Sequence, residues 1–338
     1  MKRHFSRNLI LTGAAALLLY KVTRHRYRLE GKNVFITGGS RGLGMALAEE
    51  FGSRGARLVI CAREAEETER AATALRESGF DVTTVVGDVT QEAQAQAMIQ
   101  HFEEQHGPID VLVNNAGRIE VGPLEVATLQ DFEKAMATHF WGPLYLMLAV
   151  IPGMKRIGGG RIVNISSIGG KLGVPHLVPY DASKFALAGL SEAAAAELRK
   201  DNIFVSTVYP GLMRTGSPRN ANFKGQHRKE YSWFSVSDSL PLLTISARRA
   251  ARKIVDACQN GQASLVITPS AKIASFAHAI LPNTVIKVLA LVNRLLPKAG
   301  GIGTESRKGH ESQTVISRSP LTALTQVAAR NLNQMGAR

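Results

Sequence analysis

Two side chains that could move a proton lie one helical turn apart in the segment Tyr180-Asp181-Ala182-Ser183-Lys184. A tyrosine hydroxyl has an ordinary pKa of about 10, so it is a poor base at neutral pH unless its phenolate is stabilised. Residues four apart on a helix share a face, and the ammonium group of Lys184 could supply that stabilisation. Ser167 ends an apolar run and could hydrogen-bond a substrate oxygen. The pattern predicts proton transfer at a carbonyl or alcohol oxygen, with Tyr180 as general acid/base.

A glycine-rich turn precedes this pair in the chain, between an apolar run and a helical stretch at residues 45–50. Glycine lets the backbone bend tightly and approach a pyrophosphate, and the free N–H groups at a helix amino end attract anions. A glycine pattern alone is weak evidence, but its place between a strand and a helix predicts a dinucleotide site. The candidate binding residues in the turn are Thr37, Gly38, Ser40, Arg41, Gly42, Leu43 and Gly44.

The elements that must position these residues are short apolar runs alternating with amphipathic helical stretches. Buried parallel strands are nearly continuous in apolar residues, and this alternation is typical of an α/β fold with a parallel sheet. We predict a single doubly wound domain over residues 29–270, with helices on both faces of the sheet. The predicted strands cover residues 33–37, 57–62, 81–86, 111–114, 161–166, 203–209 and 264–268.

Further motifs follow the glycine turn in a fixed order. They are Asn114-Asn115-Ala116-Gly117, then Ser166-Ser167, then Tyr180 with Lys184, and finally Pro210-Gly211 with Thr215. Tyr180 lies thirteen residues after Ser167. Together with the spacing Thr-Gly-x-x-x-Gly-x-Gly, this order resembles the short-chain dehydrogenase/reductase family over residues 32–268. The resemblance implies a doubly wound Rossmann fold with a seven-stranded parallel sheet, plus terminal extensions.

The same resemblance implies the function. It predicts an oxidoreductase that interconverts a carbonyl and an alcohol by hydride transfer to or from a nicotinamide cofactor, acting on the CH–OH group of a small molecule. Ser167, Tyr180 and Lys184 would be catalytic, and Lys184 would also hold the nicotinamide ribose hydroxyls. The other cofactor contacts that it implies are Asp88, Val89, Asn115, Ala116, Gly117, Pro210, Gly211 and Thr215.

The choice between NAD(H) and NADP(H) depends on the residues that meet the adenosine ribose. Family members that use NAD place an acid at the end of the second strand, where it bonds the 2′-hydroxyl and repels a 2′-phosphate. Here Ala62 stands at that position, Arg63 follows it, and Arg41 lies in the glycine turn. Two cations without an acid predict NADP(H), the alternative for Arg63 being a solvated surface charge.

The chain departs from the family at one catalytic position. The family places an asparagine in the helix after the Asn-Asn-Ala-Gly motif, where it holds a water that links the lysine to solvent. Here His139 occupies that place. We predict that His139 is catalytic and holds such a water through a ring nitrogen, with altered pH dependence. The alternative is that His139 only fills space.

Substrate identity should be determined by three segments, 117–123, 168–178 and 212–246. The last mixes cations with Phe223, Tyr231, Trp233 and Phe234, which suggests a lid that admits a lipophilic alcohol, aldehyde or ketone. A solvated surface loop is the alternative reading of this segment. A non-catalytic NADP(H)-binding sensor or scaffold on the same fold is the alternative function, and a membrane-remodelling or partner-binding protein is a third.

The formal net charge is +14, with the excess largely at the two ends of the chain. Such a balance indicates an anionic partner, and because no nucleic-acid module is visible we expect a membrane surface or a phosphorylated ligand rather than nucleic acid. Residues 9–20 form an apolar run between basic clusters, short for a bilayer span. We predict a membrane anchor over residues 1–28, with a cleaved signal peptide and a packed apolar segment as alternatives.

The carboxyl-terminal part changes character after the predicted domain. Residues 271–299 are strongly apolar, with Lys272, Lys287 and Arg294 spaced along them, and form a predicted amphipathic extension that could be a second membrane contact. Residues 300–338 begin with a stretch rich in Gly and Ser and are predicted to be a flexible tail.

The chain contains two cysteines, Cys61 and Cys258, far apart and without metal-ligand or redox spacing. Neither a disulfide framework nor a metal site is expected, and a reducing compartment fits best. With the predicted anchor, this indicates a membrane-associated protein with a cytoplasmic catalytic domain, a cytoplasmic protein being the alternative. The family resemblance also implies a homodimer or tetramer formed through the helix that bears Tyr180 and Lys184 and the helix before it.

Overall fold

The computed structural model describes residues 26–240, 244–315, 317, 319 and 322–335. The apolar run 9–20 of the predicted anchor therefore lies outside the described residues. Of the anchor segment only residues 26–28 are described, and they already belong to the domain. The Tyr27 N–H donates to the Gln259 carbonyl at 3.0 Å, and the Arg26 side chain pairs with Asp256.

A seven-stranded parallel sheet forms the centre of the domain, as predicted. Among the described residues the strands are, in chain order, β1 (Asn33–Thr37), β2 (Arg57–Ala62), β3 (Val82–Val86), β4 (Val111–Asn114), β5 (Glu120–Val121), β6 (Gly160–Ile165), β7 (Ile203–Tyr209), β8 (Met213–Arg214), β9 (Asn222–Phe223), β10 (Ile245–Ser246), β11 (Ser264–Val266) and β12 (Arg307–Lys308). The sheet order is β3-β2-β1-β4-β6-β7-β11. Each predicted strand is present, with shifts of one or two residues at some ends.

Helices cover both faces of the sheet. The described helices are α1 (Gly42–Gly52), α2 (Ala65–Glu77), α3 (Glu92–His106), α4 (Leu129–Met136), α5 (Gly142–Arg156), α6 (Val178–Glu197), α7 (His227–Ser237), α8 (Ala247–Gln259), α9 (Pro269–Ile280), α10 (Pro282–Asn293) and α11 (Ala323–Asn331). Successive side chains of a strand point to opposite faces. In β1, Val34 and Ile36 therefore join one buried cluster with α1 and α8, whereas Phe35 joins a second with α3 and α5.

The strand order places a crevice near the middle of the sheet. The chain runs outward from β1 to β2 and β3, then returns to the other side of β1 with β4. In open α/β sheets, ligands bind at this reversal, beyond the carboxyl ends of the strands. The glycine turn after β1 and the Asn-Asn-Ala-Gly motif after β4 both lie at this edge.

Helices α4 and α5 are joined by a π-helical segment, Ala137–Trp141, into one continuous helix, Leu129–Arg156. By length and composition it is the one helix among the described residues that could cross a membrane. Its Leu146, Met147 and Val150 pack in the core under the sheet, as expected for the core helix of a globular domain. The π-helical segment contains His139, and such bulges occur often at functional sites.

A small aromatic layer covers the carboxyl edge of the sheet. Strand β9 pairs with β5 and β12, and α7 packs on this three-stranded sheet through Tyr231 and Phe234, which contact Phe223. The sequence left two alternatives for the segment 212–246, a lid and a solvated surface loop. Most of the segment is packed against the domain. The solvated-loop reading is wrong for the described part of it.

The prediction of a flexible tail over residues 300–338 differs from the structure in the described part. Strand β12 pairs with β9, helix α11 packs against the domain, and Leu332 is 4% exposed within the main core cluster. The Gly-rich composition concealed this because the ordering comes from long-range contacts. Gly225 and Gly303, for example, meet through a backbone hydrogen bond of 3.0 Å.

Candidate active site

One cavity of about 570 Å³ opens at the carboxyl ends of β1, β2, β3, β4, β6 and β7. Its wall contains the predicted catalytic residues Ser167, Tyr180, Lys184 and His139, and all predicted cofactor residues except two. The exceptions, Thr37 and Gly44, lie directly behind the wall. Residues that follow six strands therefore share one chamber, and the motif residues among them extend along the chain from Gly38 to Thr215.

The glycine turn requires glycine for two different reasons. Gly38 and Gly42 have φ angles of +62° and +58°, in the left-handed region that side chains disfavour. At Gly44 the problem is space, since a Cβ atom would lie 1.9 Å from the Gly38 carbonyl oxygen. The turn is thus shaped so that backbone, not side chain, faces the cavity.

Thr37 and Asn115 brace the turn rather than reach into the cavity with their polar atoms. The Thr37 hydroxyl accepts hydrogen bonds from the N–H groups of Asn115 and Ala116, both at 3.0 Å. The Asn115 side-chain amide donates to the carbonyls of Thr37 and Gly38 at 2.9 and 3.1 Å. The two residues assigned as cofactor contacts therefore act by joining the ends of β1 and β4.

The chamber beside the turn fits a dinucleotide pyrophosphate. Helix α1 begins at Gly42 without a side-chain cap, so its amino end offers N–H groups and a partial positive charge to an anion. The Gly42 N–H donates to the Leu332 carbonyl at 2.9 Å, which leaves the following N–H groups, those of Leu43 and Gly44, for an anionic ligand.

The corner expected to hold the adenosine ribose contains Arg41 and Arg63, and also an acid that the sequence analysis missed. Glu67 on α2 pairs with Arg41 at 2.9 Å and accepts a hydrogen bond from Ser40. Glu67 lies only four residues after Arg63 in the sequence, and this short spacing could have indicated that it belongs to the same corner. Asp88, at the opposite side, binds the Thr90 N–H and hydroxyl at 2.9 Å, which holds the loop after β3 against the cavity.

Tyr180 lies in the first turn of α6, with Pro179 before it, and faces the cavity. Burial is the main influence on its hydroxyl and raises its pKa to about 12, although a hydrogen bond with Ser167 opposes the shift. The depressed pKa that the Tyr-Lys spacing suggested is therefore not a property of the protein alone. At neutral pH the phenol holds its proton and is ready to donate it.

Lys184 explains why the expected depression is absent. Its ammonium group lies 5.6 Å from the centre of the Tyr180 ring and donates to the Ile165 carbonyl at 2.8 Å. Burial lowers the pKa of Lys184 to about 7, so at neutral pH its positive charge is only partly present. Its stabilising effect on a phenolate is correspondingly weakened unless a ligand restores the charge.

The histidine at the family's asparagine position does not have a free ring nitrogen. Ser183 donates its hydroxyl to the Tyr180 carbonyl at 2.7 Å, so His139 Nδ1, 2.7 Å from the same hydroxyl oxygen, must be the donor there. His139 Nε2 then accepts from the Arg118 N–H at 3.1 Å. Burial holds the pKa of His139 well below its usual range, so the ring is neutral.

The predicted role of His139 as a water-holding catalytic residue is therefore wrong in this geometry. Both ring nitrogens already bind protein groups, and the side chain is 1% exposed. Its ring contacts the Tyr180 ring edge-on, with centroids 5.3 Å apart. His139 is instead a positioning residue, which ties the Asn-Asn-Ala-Gly loop to the helix that carries Tyr180.

The cavity wall also contains apolar side chains and two buried acids. Its lining includes Ile119, Val174, Leu177, Leu212 and Phe234. Asp181 and Asp238 also line it, and burial raises the pKa of both carboxyl groups to about 8. The apolar residues and Asp238 belong to the three segments predicted to determine the substrate, and Asp181 belongs to the motif of Tyr180 and Lys184. Neither acid was predicted to line the cavity, because burial of both depends on the packed domain.

The carboxyl-terminal segment closes the cavity beside the glycine turn. The Asn333 side-chain amide donates to the Ser40 carbonyl at 2.9 Å, and Gln334 lines the cavity so closely that a Cβ at Gly42 would lie 2.5 Å from its amide nitrogen. Lys308 lines it as well, and burial together with Arg118 and Arg41 lowers its pKa. No local pattern predicted these residues, since they belong to the segment expected to be flexible.

Taken together, the geometry places a proton-holding phenol, a serine hydroxyl and a buried amine opposite a glycine turn with neighbouring cations. The arrangement is suited to proton exchange at a small molecule held next to an anionic dinucleotide.

Comparison with known proteins gives a consistent result. The short chain dehydrogenase family matches residues 32–224. The uncharacterized oxidoreductase YxjF of Bacillus subtilis is 35% identical over 185 residues, which are 55% of this chain and 72% of that protein. An uncharacterized oxidoreductase of Mycobacterium bovis is 32% identical over 294 residues, 86% of this chain and 80% of its own length.

Similar solved structures include reductases and dehydrogenases with bound cofactor. L-Sorbose reductase from Gluconobacter frateurii, complexed with NADPH and L-sorbose, has a TM-score of 0.65 and 27% identity, covering 72% of this chain and 97% of that one. A gluconate 5-dehydrogenase from Burkholderia cenocepacia, in complex with NADP and tartrate, has a TM-score of 0.65 and 28% identity, covering 73% and 98%.

Proposed function

We propose that this chain, which belongs to the short chain dehydrogenase family, is an NADP(H)-dependent oxidoreductase that interconverts a carbonyl and an alcohol on a small molecule. The observation that carries the proposal is that Ser167, Tyr180 and Lys184 meet in the same cavity as the glycine turn. A proton donor and a dinucleotide cradle thereby share one chamber, as hydride transfer coupled to proton transfer requires.

The residues divide the work in the reduction direction. The Tyr180 hydroxyl donates its proton to the carbonyl oxygen of the substrate, and the Ser167 hydroxyl hydrogen-bonds the same oxygen and orients it. When bound, NADPH supplies the hydride that the carbonyl carbon accepts. Lys184, in its ammonium form, stabilises the phenolate that remains on Tyr180. In the oxidation direction each transfer is reversed.

The protonation state of Tyr180 suits the proton-donating step of reduction at neutral pH. Because burial raises the pKa of Tyr180 to about 12, the phenol is protonated and can act as the acid without prior change. Alcohol oxidation instead requires the phenolate, which is scarce at neutral pH.

NADP(H) rather than NAD(H) is supported by the charges of the adenosine corner. Arg63 is exposed at the cavity rim, and Arg41 presents five N–H donors, of which the pair with Glu67 occupies only part. Arginine binds phosphate through such a fork, and this favours a 2′-phosphate. The NADPH and NADP of the two neighbouring structures support the same choice.

A lipophilic substrate is supported by the apolar side of the cavity, where Ile119, Val174, Leu177 and Phe234 form much of the wall. Removing apolar surface from water contributes about 25 cal/mol per Å² to binding. A hydrophobic aldehyde or ketone would therefore bind better here than a sugar of equal size.

Membrane attachment is the remaining part of the proposal. The apolar run 9–20 with its flanking cations supports an anchor in the first 28 residues, with the catalytic domain on the cytoplasmic side. Carbonate extraction of membranes that carry the full chain, or a version lacking residues 1–25, tests it. The full chain should stay with the membrane. If both versions are released into the soluble fraction, the anchor is refuted.

A homodimer or tetramer is proposed through α5 and α6, which leave Leu148 and Phe185 exposed at 59% and 43%. Light scattering of the purified chain in detergent measures the assembly. A monomer at all concentrations would exclude it.

The reaction itself is tested by measuring NADPH oxidation with a panel of hydrophobic aldehydes and ketones, using Tyr180→Phe as the matched variant. We expect turnover by the wild type and almost none by the variant. NADPH binding without turnover of any carbonyl would favour the alternative function, a non-catalytic NADP(H)-binding sensor or scaffold.

A further inference from the structure

Helices α9 and α10 form a hairpin whose apolar side chains face solvent. In α9, Ile273, Phe276 and Ile280 follow the spacing of one helix face and are 71%, 69% and 59% exposed. The face continues through the second helix and the turn after it. The exposed apolar residues there are Leu281, Ile286, Val288, Leu291, Val292 and Leu295.

This apolar surface is surrounded by positive charge alone. Lys272, Lys287, Arg294 and Lys298 are exposed on or beside the hairpin. No acidic residue occurs between Asp256 and Glu305 in the sequence. Exposed apolar surface with a purely cationic surround matches the interface of an anionic lipid bilayer, where acyl chains and acidic headgroups lie within a few ångströms of each other.

Both ends of the hairpin are attached beside the cavity. At the first, Thr268 and Ala271 pack against Gly211, which lines the cavity. At the second, the Lys298 carbonyl accepts a hydrogen bond from the Gln226 side chain at 2.8 Å, and Ile302 bonds to Gly225. Gly225 comes shortly after Asn222, another lining residue. Both ends of the hairpin are therefore attached to residues that line the cavity or lie close to its lining.

The length of the helices limits how the hairpin could meet a membrane. Each has 12 residues and is about 18 Å long, whereas the hydrocarbon core is about 30 Å thick. The hairpin can enter one leaflet but cannot span the bilayer. We propose that the α9–α10 hairpin is a lipid-binding surface, which holds the edge of the cavity close to the headgroup region of an anionic bilayer.

Two other coverings of the hairpin are less compatible with the charges. A second copy of the hairpin would bring four more cations and no acid to the contact. The amino-terminal segment also lacks an acid before Glu30 and carries seven Lys or Arg residues. Like charges repel in either contact, and an acidic headgroup layer pairs with them.

The test uses the full chain in vesicles of phosphatidylcholine and phosphatidylglycerol. Both native cysteines are buried, so single cysteines introduced as Phe276→Cys, Leu291→Cys and the control Leu129→Cys can be labelled with a polarity-sensitive fluorophore. Leu129 is 75% exposed and lies on α4 rather than on the hairpin. The readouts are quenching by nitroxide-bearing lipids and by aqueous iodide. Neither depends on the proposed reaction, which is followed separately by NADPH oxidation.

We expect the labels at 276 and 291 to be quenched several-fold more by nitroxide lipids than by iodide, and the label at 129 to show the reverse. Iodide quenching at 276 and 291 equal to that at 129 would overturn the proposal. Protection from both quenchers would also overturn the proposal, because protein rather than lipid would then cover the hairpin. If that protection increased with protein concentration, the covering protein would be a second copy of this chain.

Reversing the charge of two cations on the hairpin tests the electrostatic part of the proposal independently. Lys287→Glu combined with Arg294→Glu removes two cations from the hairpin without touching the cavity. Each cation near an anionic surface contributes roughly fivefold to binding. The nitroxide quenching at 276 should fall strongly in this variant, and an unchanged signal would contradict the electrostatic part of the proposal.

Discussion

Two walls enclose the same cavity but are specified by the sequence in different ways. The first wall is formed by β6 and α6, and the second by the carboxyl-terminal segment. Ser167, Tyr180 and Lys184 are near one another in sequence, and a strand end and one helical turn suffice to align them. Leu332, Asn333 and Gln334 contact the glycine turn from almost 300 residues further along the chain, and Gln334 lines the cavity. In the proposed function the first wall carries the chemistry, whereas the second shapes the cofactor end of the chamber.

A sequence motif can therefore locate the reacting groups without revealing the other residues that complete their site. Each wall can be altered separately, and the two should respond differently. Changes at the first wall should remove turnover with a smaller effect on stability, and changes at the second should act through stability and cofactor binding.

The largest effect is expected for Lys184→Met, which removes the amine while preserving an apolar stem in a buried position. Loss of a group that stabilises the proton-transfer residue should lower kcat/KM by about a hundredfold to ten-thousandfold. Steady-state NADPH oxidation measures it, with Lys134→Met, an exposed lysine on α4, as control. Activity within a few-fold of wild type would remove Lys184 from the mechanism.

The next effect concerns pH and follows from the raised pKa of Tyr180 and the lowered pKa of Lys184. Oxidation requires the phenolate beside the Lys184 ammonium, a pair with as many protons as the phenol beside the neutral amine. Its kcat/KM should therefore rise by about tenfold per pH unit below the Lys184 pKa of about 7 and level off above it. Reduction requires the phenol beside the ammonium, so its kcat/KM should be level below that pKa and fall above it. Parallel pH profiles in both directions measure this, and reduction that stays level above neutrality would contradict the paired roles of Tyr180 and Lys184.

At the second wall, Leu332→Ala should destabilise the protein by about 2 to 4 kcal/mol, because it opens space in the main core cluster. Denaturant unfolding of the full chain gives the value. Val327→Ala on α11 is the matched control, since that side chain is 53% exposed and should change stability little. Equal effects of the two substitutions would indicate that the tail does not pack as described.

The smallest of these effects is expected for Arg63→Ala at the adenosine corner. Loss of a charge-assisted phosphate contact should weaken NADPH binding by roughly tenfold, with little change for NADH. Fluorescence titration with both cofactors measures the ratio. Arg70→Ala, on α2 and outside the cavity lining, should leave both affinities unchanged. A similar loss for both cofactors would show that Arg63 does not distinguish them.

Much of the fold was predictable because buried parallel strands and their helices have strong local patterns. The seven strands of the sheet and the ends that carry the motifs follow from apolar runs and glycine spacing. The hydrogen-bond partners and burial of the individual site residues could not be predicted from these local patterns. The neutral state of His139 depends on Ser183 and Arg118, and the raised pKa of Tyr180 depends on burial that only the packed domain creates.

The carboxyl-terminal wall was missed for a related reason. Its ordering relies on pairings such as β12 with β9 and Gly42 with Leu332, which join distant parts of the chain. Composition reports only the apolar content of a segment, and here that content is low around residues 300–320. Buried residues such as Ala329 and Leu332, together with backbone and side-chain hydrogen bonds to distant parts of the chain, order what composition assigned to a tail.

The central claim is that one cavity brings a hydride donor and the Tyr180 proton to the same carbonyl group. The most direct measurement uses NADPH deuterated at the transferable position of its nicotinamide ring, together with a hydrophobic ketone that supports turnover. Mass spectrometry of the product should find one deuterium on the new alcohol carbon with the wild type, and almost no product with Tyr180→Phe at saturating NADPH. An alcohol without deuterium, or equal product from the Tyr180→Phe variant, would contradict the account.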